Sequence, residues 1–449
     1  MPSVVSIFCG CGGLDLGFKE AGFDLAYACD SDPAAVDCYA RNVDRNVHLR
    51  DATSEEFHAD IASLAECDVV LGGFPCQGFS KAGPKREEDE RNDLYMEMLR
   101  AVGTLRPRMF VAENVDGLSQ NFQGAFLTRI VADFSELDYD VDYHILDAAN
   151  FGVPQYRRRI FFVGTRRGSD RAFDWPAPTH RAAARNGEFK VDAPLFERGL
   201  FGPQERKLGV NAKPRTIKDV ISDLILLRRD VPDHEVTSAW PRKYEAVFKA
   251  VAEGQKLCNV RHAATSVYTW QIPEVFGQVT PREVVVLETI SRHRRHKRYG
   301  NVPNGNPLPV GEIERLSGTS PIDEEIASLL AKGYLKVVGR GYDLKGAMFC
   351  SGLFKRPKWT EPAPTVLTNF HNPRYFLHPI EDRPFSLREC ARLQTFPDTF
   401  HISSPGSRVS LIDGYRLIGN AVPPLVSAQF ARAALHFLAR RRKPQATRT

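Results

Sequence analysis

Short apolar runs alternate with windows of helical apolar spacing through the first third of the chain. Val4–Phe8 reads as a strand, and Leu14–Ala21 repeats its apolar residues along one helix face. Leu25–Cys29 predicts a second strand ending at Asp30. Pro33–Asn42 predicts a helix, with Asp32 as N-cap and Pro33 at the first helical position. Asp68–Leu71, Met109–Ala112 and Ile160–Gly164 continue the strands, and Asn92–Leu105 and Phe122–Leu137 are helical windows between them. This rhythm predicts a mostly parallel sheet with helices on both faces.

The rhythm stops at Arg166–Arg185, a Pro-, Arg- and Gly-containing linker, and the pattern stays irregular to about Val275. Residues 279–345 then predict a separate module. Thr280-Pro281 caps a long basic helix, Val310–Leu316 and Pro321–Ala331 follow as helices, and Gly333–Asp343 reads as a hairpin. That is the order of a winged helix-turn-helix, whose helix enters a DNA groove. Beyond residue 360, Pro384–Gln394 predicts a helix boxed by Ser386 and Glu389. Val422–Leu438 predicts another, opened by Pro423-Pro424 and basic in its last turns.

The length of 449 residues suits roughly two to three domains. No apolar run approaches the ~18 residues of a membrane span. The first residues lack a basic segment before a long apolar stretch, so a cytoplasmic protein is expected. Nine cysteines, without CxxC spacing, support neither a disulfide framework nor a zinc site. No metal is expected, and all but Cys76 are expected to pack in cores or loops. The net charge of +5 permits nucleic acid without requiring it. Arg292–Arg298 and Arg440–Lys443 are the basic runs, each a solvated helix face or a phosphate-binding surface.

Residues 72–80, Gly-Gly-Phe-Pro-Cys-Gln-Gly-Phe-Ser, follow the apolar Cys67–Leu71. A cysteine held by a proline in a glycine loop at a strand end is placed to be a nucleophile, or else a small core residue. Four further features decide between these. The glycine loop after Val4–Phe8 is not GxGxxG, carries no basic residue for phosphate, and suits an uncharged adenosine. Asp30 lies about twenty residues on, where a carboxylate accepts ribose hydroxyls, and Asp51 is a candidate contact to an adenine amino group. Glu113, among apolar neighbours at the end of a strand, should have a raised pKa and hold a proton near neutrality. Strand alternation sends Arg157 and Arg159 to the site face and Arg158 away.

With these pieces in this order, the chain resembles the DNA (cytosine-5)-methyltransferase family of the prokaryotic restriction-modification type. The resemblance rests on Phe8–Phe18, Asp30, Asp51, Gly-Phe-Pro-Cys76-Gln-Gly-Phe-Ser80, Glu113-Asn-Val115 and Gln155-x-Arg157-x-Arg159. It also takes in the late segments Arg388–Pro397 and Gly419-Asn420-Ala-Val-Pro-Pro424. Ser6 stands where members usually carry Asp, and Asp30 replaces the commoner Glu.

The resemblance implies an α/β fold, a Rossmann-like S-adenosylmethionine-dependent methyltransferase domain with a smaller target-recognition domain. Residues 1–180, completed by 410–449, would be catalytic, and 181–409 would read the target, with the winged-helix candidate at 279–345. Cys76 would add to cytosine C6, Glu113 would protonate N3, and Arg157 and Arg159 would hold the base and its phosphate. Phe8, Gly10, Gly12, Gly13, Leu14, Asp30, Ser31, Asp51, Ala52, Pro75, Asn420 and Val422 would hold S-adenosylmethionine. Ser80, Lys81, Arg292, Arg294, Arg295 and Lys297 would contact DNA. The expected setting is a monomer on double-stranded DNA in a prokaryotic, nucleoid-associated cytoplasm, with no membrane and with a cognate restriction endonuclease acting on the same site. A transfer-RNA cytosine-5 methyltransferase and a catalytically silent DNA-binding regulator remain alternatives. The long basic region favours DNA over RNA, and intact Cys76 and Glu113 favour catalysis.

Overall fold

The computed structural model describes the chain except residues 76–93, 120–124, 170–171, 182–211, 226–230, 237–238, 260–263, 303–304, 346–350, 404–405 and 440–449. Two compact units divide it. Met1–His234, Thr360–Asn369 and Ser386–Thr449 form the first, and Glu235–Trp359 with Phe370–Phe385 the second. The expected boundary at 180/181 therefore moves to 234/235. Residues 360–369 and 386–409 also join the first unit rather than the second.

The first unit is built from β1 (Ser3–Ile7), α1 (Gly13–Glu20), β2 (Asp24–Asp30), α2 (Pro33–Asn42), β3 (Val47–Leu49) and α3 (Glu55–Ser63). These are followed by β4 (Val69–Gly72), α4 (Tyr95–Leu105), β5 (Met109–Val115), α5 (Ala125–Glu136), β6 (Tyr139–Asp147) and β7 (Arg158–Arg166). The seven strands lie in the order β3-β2-β1-β4-β5-β7-β6. Those from β1 to β5 run parallel, while β7 is antiparallel to both its neighbours. The antiparallel edge is a departure from the sequence reading, which had no strand over Tyr139–Asp147. Burial on both faces goes with the mainly apolar sequences of β1, β4 and β5. The order reverses between β1 and β4, where an open α/β sheet leaves a crevice at its carboxyl edge.

After the short α6 (Ile217–Ile221) the chain enters the second unit, with α7 (Arg242–Ala250), β8 (Lys256–Cys258), β9 (Ser266–Val267) and α8 (Pro273–Phe276). The module at 279–345 has the predicted order. Its elements are α9 (Pro281–His293), α10 (Val310–Ser317), α11 (Asp323–Lys332), β10 (Leu335–Val338) and β11 (Gly341–Leu344). Val286, Leu287, Ile290, Ile313, Ile326, Leu329 and Leu335 close its core. Thr280 and Glu283 form the capping box that starts α9. The segment read as irregular instead holds a small sheet, in which β8 pairs with β9 and with β12 (Ser351–Leu353).

The chain then returns to the first unit as α12 (Leu387–Leu393), α13 (Leu411–Asn420) and α14 (Pro424–Ala439). The Ser386/Glu389 box is present at α12. Helix α14 packs on α1 through glycine: a Cβ on Gly17 would lie 2.3 Å from the Ala428 nitrogen, and one on Gly13 would lie 2.3 Å from the Val422 oxygen. Two glycines of the first loop and helix are thus close-packing positions for the last helix. Among the described residues no helix is long and apolar enough to cross a membrane.

Candidate active site

The loop leaving β1 turns through left-handed backbone at Phe8, Gly10 and Gly12, with φ of 56°, 56° and 88°. It thereby lays its amides beside the end of β2. The Gly10 N–H donates to Asp30 Oδ2 and the Asp32 N–H to Asp30 Oδ1, each at 2.9 Å. Burial nevertheless dominates and raises the Asp30 pKa, the two amides offsetting part of the rise. Asp32 caps α2 by accepting from the Ala34 N–H at 3.0 Å, which leaves Asp30 out of the cap.

Around this loop lies a cavity of about 440 Å³. Phe8, Gly10, Gly13, Leu14, Asp30 and Ser31 line it from the amino-terminal side. Pro75, Asn420 and Val422 join them from segments distant in sequence, and so do Glu113 and Arg159. Three residues expected in this group are not in its lining. Gly12 packs on Tyr39 and Val43, and Ala52 is buried elsewhere in the core. Asp51 is exposed and folds back to accept from the Thr53 N–H and hydroxyl at 2.9 and 2.8 Å. Those bonds hold Oδ1 and lower its pKa.

Glu113 lies near the end of β5. Register pairs it with Phe161 and pairs Val115 with Arg159 on β7, so alternation brings Glu113 and Arg159 to one face as diagonal neighbours. Arg159 Nε stands 2.9 Å from Glu113 Oε1, yet Oε1 is buried without an aligned hydrogen bond. Burial raises the Glu113 pKa, with Arg159 and then Arg157 opposing. Next to it, Asn114 Nδ2 donates to the Phe74 carbonyl at 3.1 Å, tying this strand end to the Gly-Phe-Pro loop. Cys76, Ser80 and Lys81 lie outside the described residues.

Arg157 does something other than expected. It is 1% exposed, and its guanidinium donates to the carbonyls of Val366, Gly419 and Ala421 at 3.1, 2.9 and 2.9 Å. These bonds engage both terminal nitrogens with backbone, so Arg157 fastens the Gly419–Ala421 segment and is not available to a base. Arg158 faces away beside Asp116 at 3.4 Å, and Arg159 alone of the three reaches the cavity.

The basic run in the second unit also divides. Helix α9 ends at His293, so Arg294, Arg295 and Lys297 lie past it. Arg294 is buried and paired with Asp343 at 2.8 Å, which removes it from any DNA-contacting set. Arg292 pairs with Glu288 one turn back while staying largely exposed. Arg295 and Lys297 are exposed.

Arg416 and Asp15 are among the lining residues that escaped the sequence reading. Arg416 comes from α13 and pairs with Asp32. Asp15, in the first turn of α1, is 1% exposed and accepts from the Tyr39 hydroxyl at 2.9 Å. A carboxylate inside an apolar-spaced helix was the available signal for Asp15; a long-range partner of Asp32 had none. Burial raises the Asp15 pKa from 3.8 to about 6. The fold therefore favours the protonated form, and stability from this group is lost as pH rises through that window. At ~1.36 kcal/mol per pH unit the ionised carboxyl costs roughly 3 kcal/mol. Asp15→Asn, which can still accept from Tyr39, should exceed the parent in urea midpoint at about pH 8 and match it near pH 4. A pH-independent difference would exclude this titration.

The seven described cysteines Cys9, Cys11, Cys29, Cys38, Cys67, Cys258 and Cys390 are buried. Residues 3–436 match the family model described as C-5 cytosine-specific DNA methylase. Similar curated proteins include the Type II methyltransferase M.AgeI of Thalassovita gelatinovora. It is 31% identical over 466 residues, covering 95% of this chain and 97% of that protein. Another is the Type II methyltransferase M.DdeI of Desulfomicrobium norvegicum, 28% identical over 441 residues and covering 96% and 87%. A solved prophage-encoded chain (E. coli) described as a DNA modification methyltransferase shares the fold with a TM-score of 0.53. It is 20% identical and is covered over 100% of its length, against 98% of this chain. The match along nearly the whole chain, with a relative above 30% identity, places it in a family: it is a C-5 cytosine-specific DNA methylase.

Proposed function

We propose that this enzyme methylates C5 of one cytosine within a short duplex sequence, through a covalent Cys76 adduct on a base turned out of the stack. The observation that carries the reading is Glu113, a buried carboxyl with raised pKa, lining the same cavity as Asp30 beside Arg159.

Family membership brings S-adenosylmethionine as methyl donor, and the cavity residues suit it. Asp30 supplies acceptors for ribose hydroxyls, and the Gly10–Gly13 backbone admits a close ligand. Asn420 and Val422 supply the far wall, and the buried Ser6 lines the cavity as well. When bound, S-adenosylmethionine supplies an electrophilic methyl group. The chain's own residues prepare the base to accept it. The Cys76 thiolate forms a bond to C6, the ring electrons move toward C5, and Glu113 gives or holds a proton at N3 so that the ring does not carry the negative charge. Arg159 orients Glu113 and lies where it can hold the cytosine. After transfer, solvent water takes the C5 proton, its bonding pair re-forms C5=C6, and the C6–S bond breaks to free Cys76 as thiolate. Access above the ring face requires the base to leave the duplex.

We assign target recognition to the second unit, and modification paired with a cognate endonuclease to the enzyme acting as a monomer. Bisulfite sequencing of genomic DNA from a methylation-free bacterial host expressing the chain tests the reaction. Protected cytosines in one short motif are expected, together with a denaturation-resistant adduct on 5-fluorocytosine duplex. Unprotected DNA from folded protein, with methylated transfer RNA instead, would overturn the substrate assignment.

A further inference from the structure

The winged module in the second unit carries its charge in an order that does not suit the usual groove-reading helix. Its third helix, α11, opens with Asp323, Glu324 and Glu325. The residues it exposes are Asp323, Glu324, Ala327 and Ala331. None of these donates to a phosphate or to a guanine edge, and the two carboxylates repel a backbone that carries one charge per ~1.7 Å. The one cation at its end, Lys332, is held by Glu283 at 2.7 Å.

The hairpin is the opposite. Val337 and Val338 are 61% and 39% exposed at the end of β10. Exposed Lys336, Gly339 and Arg340 surround them, and the turn is made through Gly339 at φ 57°. Two adjacent exposed β-branched residues serve no core. They are the shape of an apolar wedge of the kind that presses on base edges in a groove. The hairpin is also joined to the basic turn after α9. The buried Arg294–Asp343 pair at 2.8 Å ties that turn to β11, and Lys336 approaches Asp343 at 3.9 Å. Leu308 and Tyr342 exchange backbone hydrogen bonds at 3.0 and 2.9 Å. Arg295 and Lys297 are thus carried on the same body as the hairpin.

We propose that the second unit meets duplex DNA with the β10–β11 hairpin and the turn after α9, not with α11. Arg295, Lys297, Lys336 and Arg340 take phosphates, and Val337 and Val338 contact base edges. This rests on the reading that the second unit recognises the target.

The test uses the full chain and three variants. Binding of a labelled random-sequence duplex is followed against salt by fluorescence anisotropy, and methylation of one plasmid is mapped by bisulfite sequencing. Arg295→Ala/Lys297→Ala/Arg340→Ala should flatten the slope of log affinity against log salt by about 2 to 3, each phosphate contact contributing about 0.9. Val337→Ser/Val338→Ser should keep the slope and alter which plasmid sites are marked. Asp323→Lys/Glu324→Lys should leave both slope and pattern as in the parent. An unchanged slope in the triple variant, or a tightening of roughly tenfold or more in the α11 variant, would overturn the assignment. These outcomes are read only against a parent that marks the plasmid. A parent that marks no DNA sinks the substrate reading itself, and is told apart by that measurement alone.

Discussion

The Cys76→Ala enzyme should transfer no detectable methyl group to DNA while keeping its affinity for S-adenosylmethionine. Cytosine C5 is not nucleophilic until something adds at C6, and no other group in the reading offers a thiolate. A free thiol is only a few per cent ionised near pH 7, yet it is strongly nucleophilic in that form. Addition is drawn forward by the proton at N3, and the raised pKa of Glu113 keeps that proton available. Removing the sulfur therefore removes the step itself rather than slowing it. The cofactor cavity, by contrast, is lined from the described residues by Asp30, Gly10, Asn420 and Val422. Transfer of labelled methyl and calorimetric titration of S-adenosylmethionine separate the two quantities. Residual transfer near the parent level would exclude Cys76 as nucleophile, and loss of cofactor binding would mean the thiol shapes the pocket.

Arg157→Met should cost roughly 2–4 kcal/mol of stability: three carbonyls lose this donor, Ala421 keeps Gln394 Nε2 at 3.3 Å, and each buried carbonyl left unsatisfied costs about 1–3 kcal/mol, less the burial regained by the methionine. Those carbonyls belong to Val366, Gly419 and Ala421, on either side of Asn420. The same change should weaken cofactor binding, because the Asn420–Val422 wall loses its fastening. Arg157→Lys, with one ammonium in place of a two-nitrogen fork, should recover only part of the loss. Urea midpoints measure the first effect and titration the second. Normal stability with impaired transfer would return Arg157 to a role on the base.

Much of the first unit was legible because its strands are buried on both faces, and such strands write themselves as apolar runs. The edge strand Tyr139–Asp147 was not, since it alternates apolar with charged residues and its pairing with β7 is set by distant sequence. Alternation correctly put Arg157 and Arg159 on one face, but it cannot say how deep each lies. One reaches the cavity and the other is consumed by backbone. The same blindness to partners placed Arg294 among surface cations, although Asp343, far along the chain, had already claimed it. Asp51 sat at a plausible distance from a strand end, and only the local turn through Thr53 revealed where its carboxylate points. The Glu113–Arg159 pairing was not read from the two short motifs; it follows from the β5–β7 register, which brings their strand ends together.

The packing of Gly13 and Gly17 against the Val422–Ala428 region has a consequence for how the enzyme is made. The glycine loop leaves the ribosome long before the wall that faces it, Asn420 and Val422. Until Asn420 and Val422 have been synthesised, the nascent polypeptide has glycine loop, Asp30 and Glu113 but no closed chamber for a cofactor. Any chain broken off by premature termination is left in the same state. Synthesis order thus acts as a checkpoint: the cavity closes only in molecules translated through Val422.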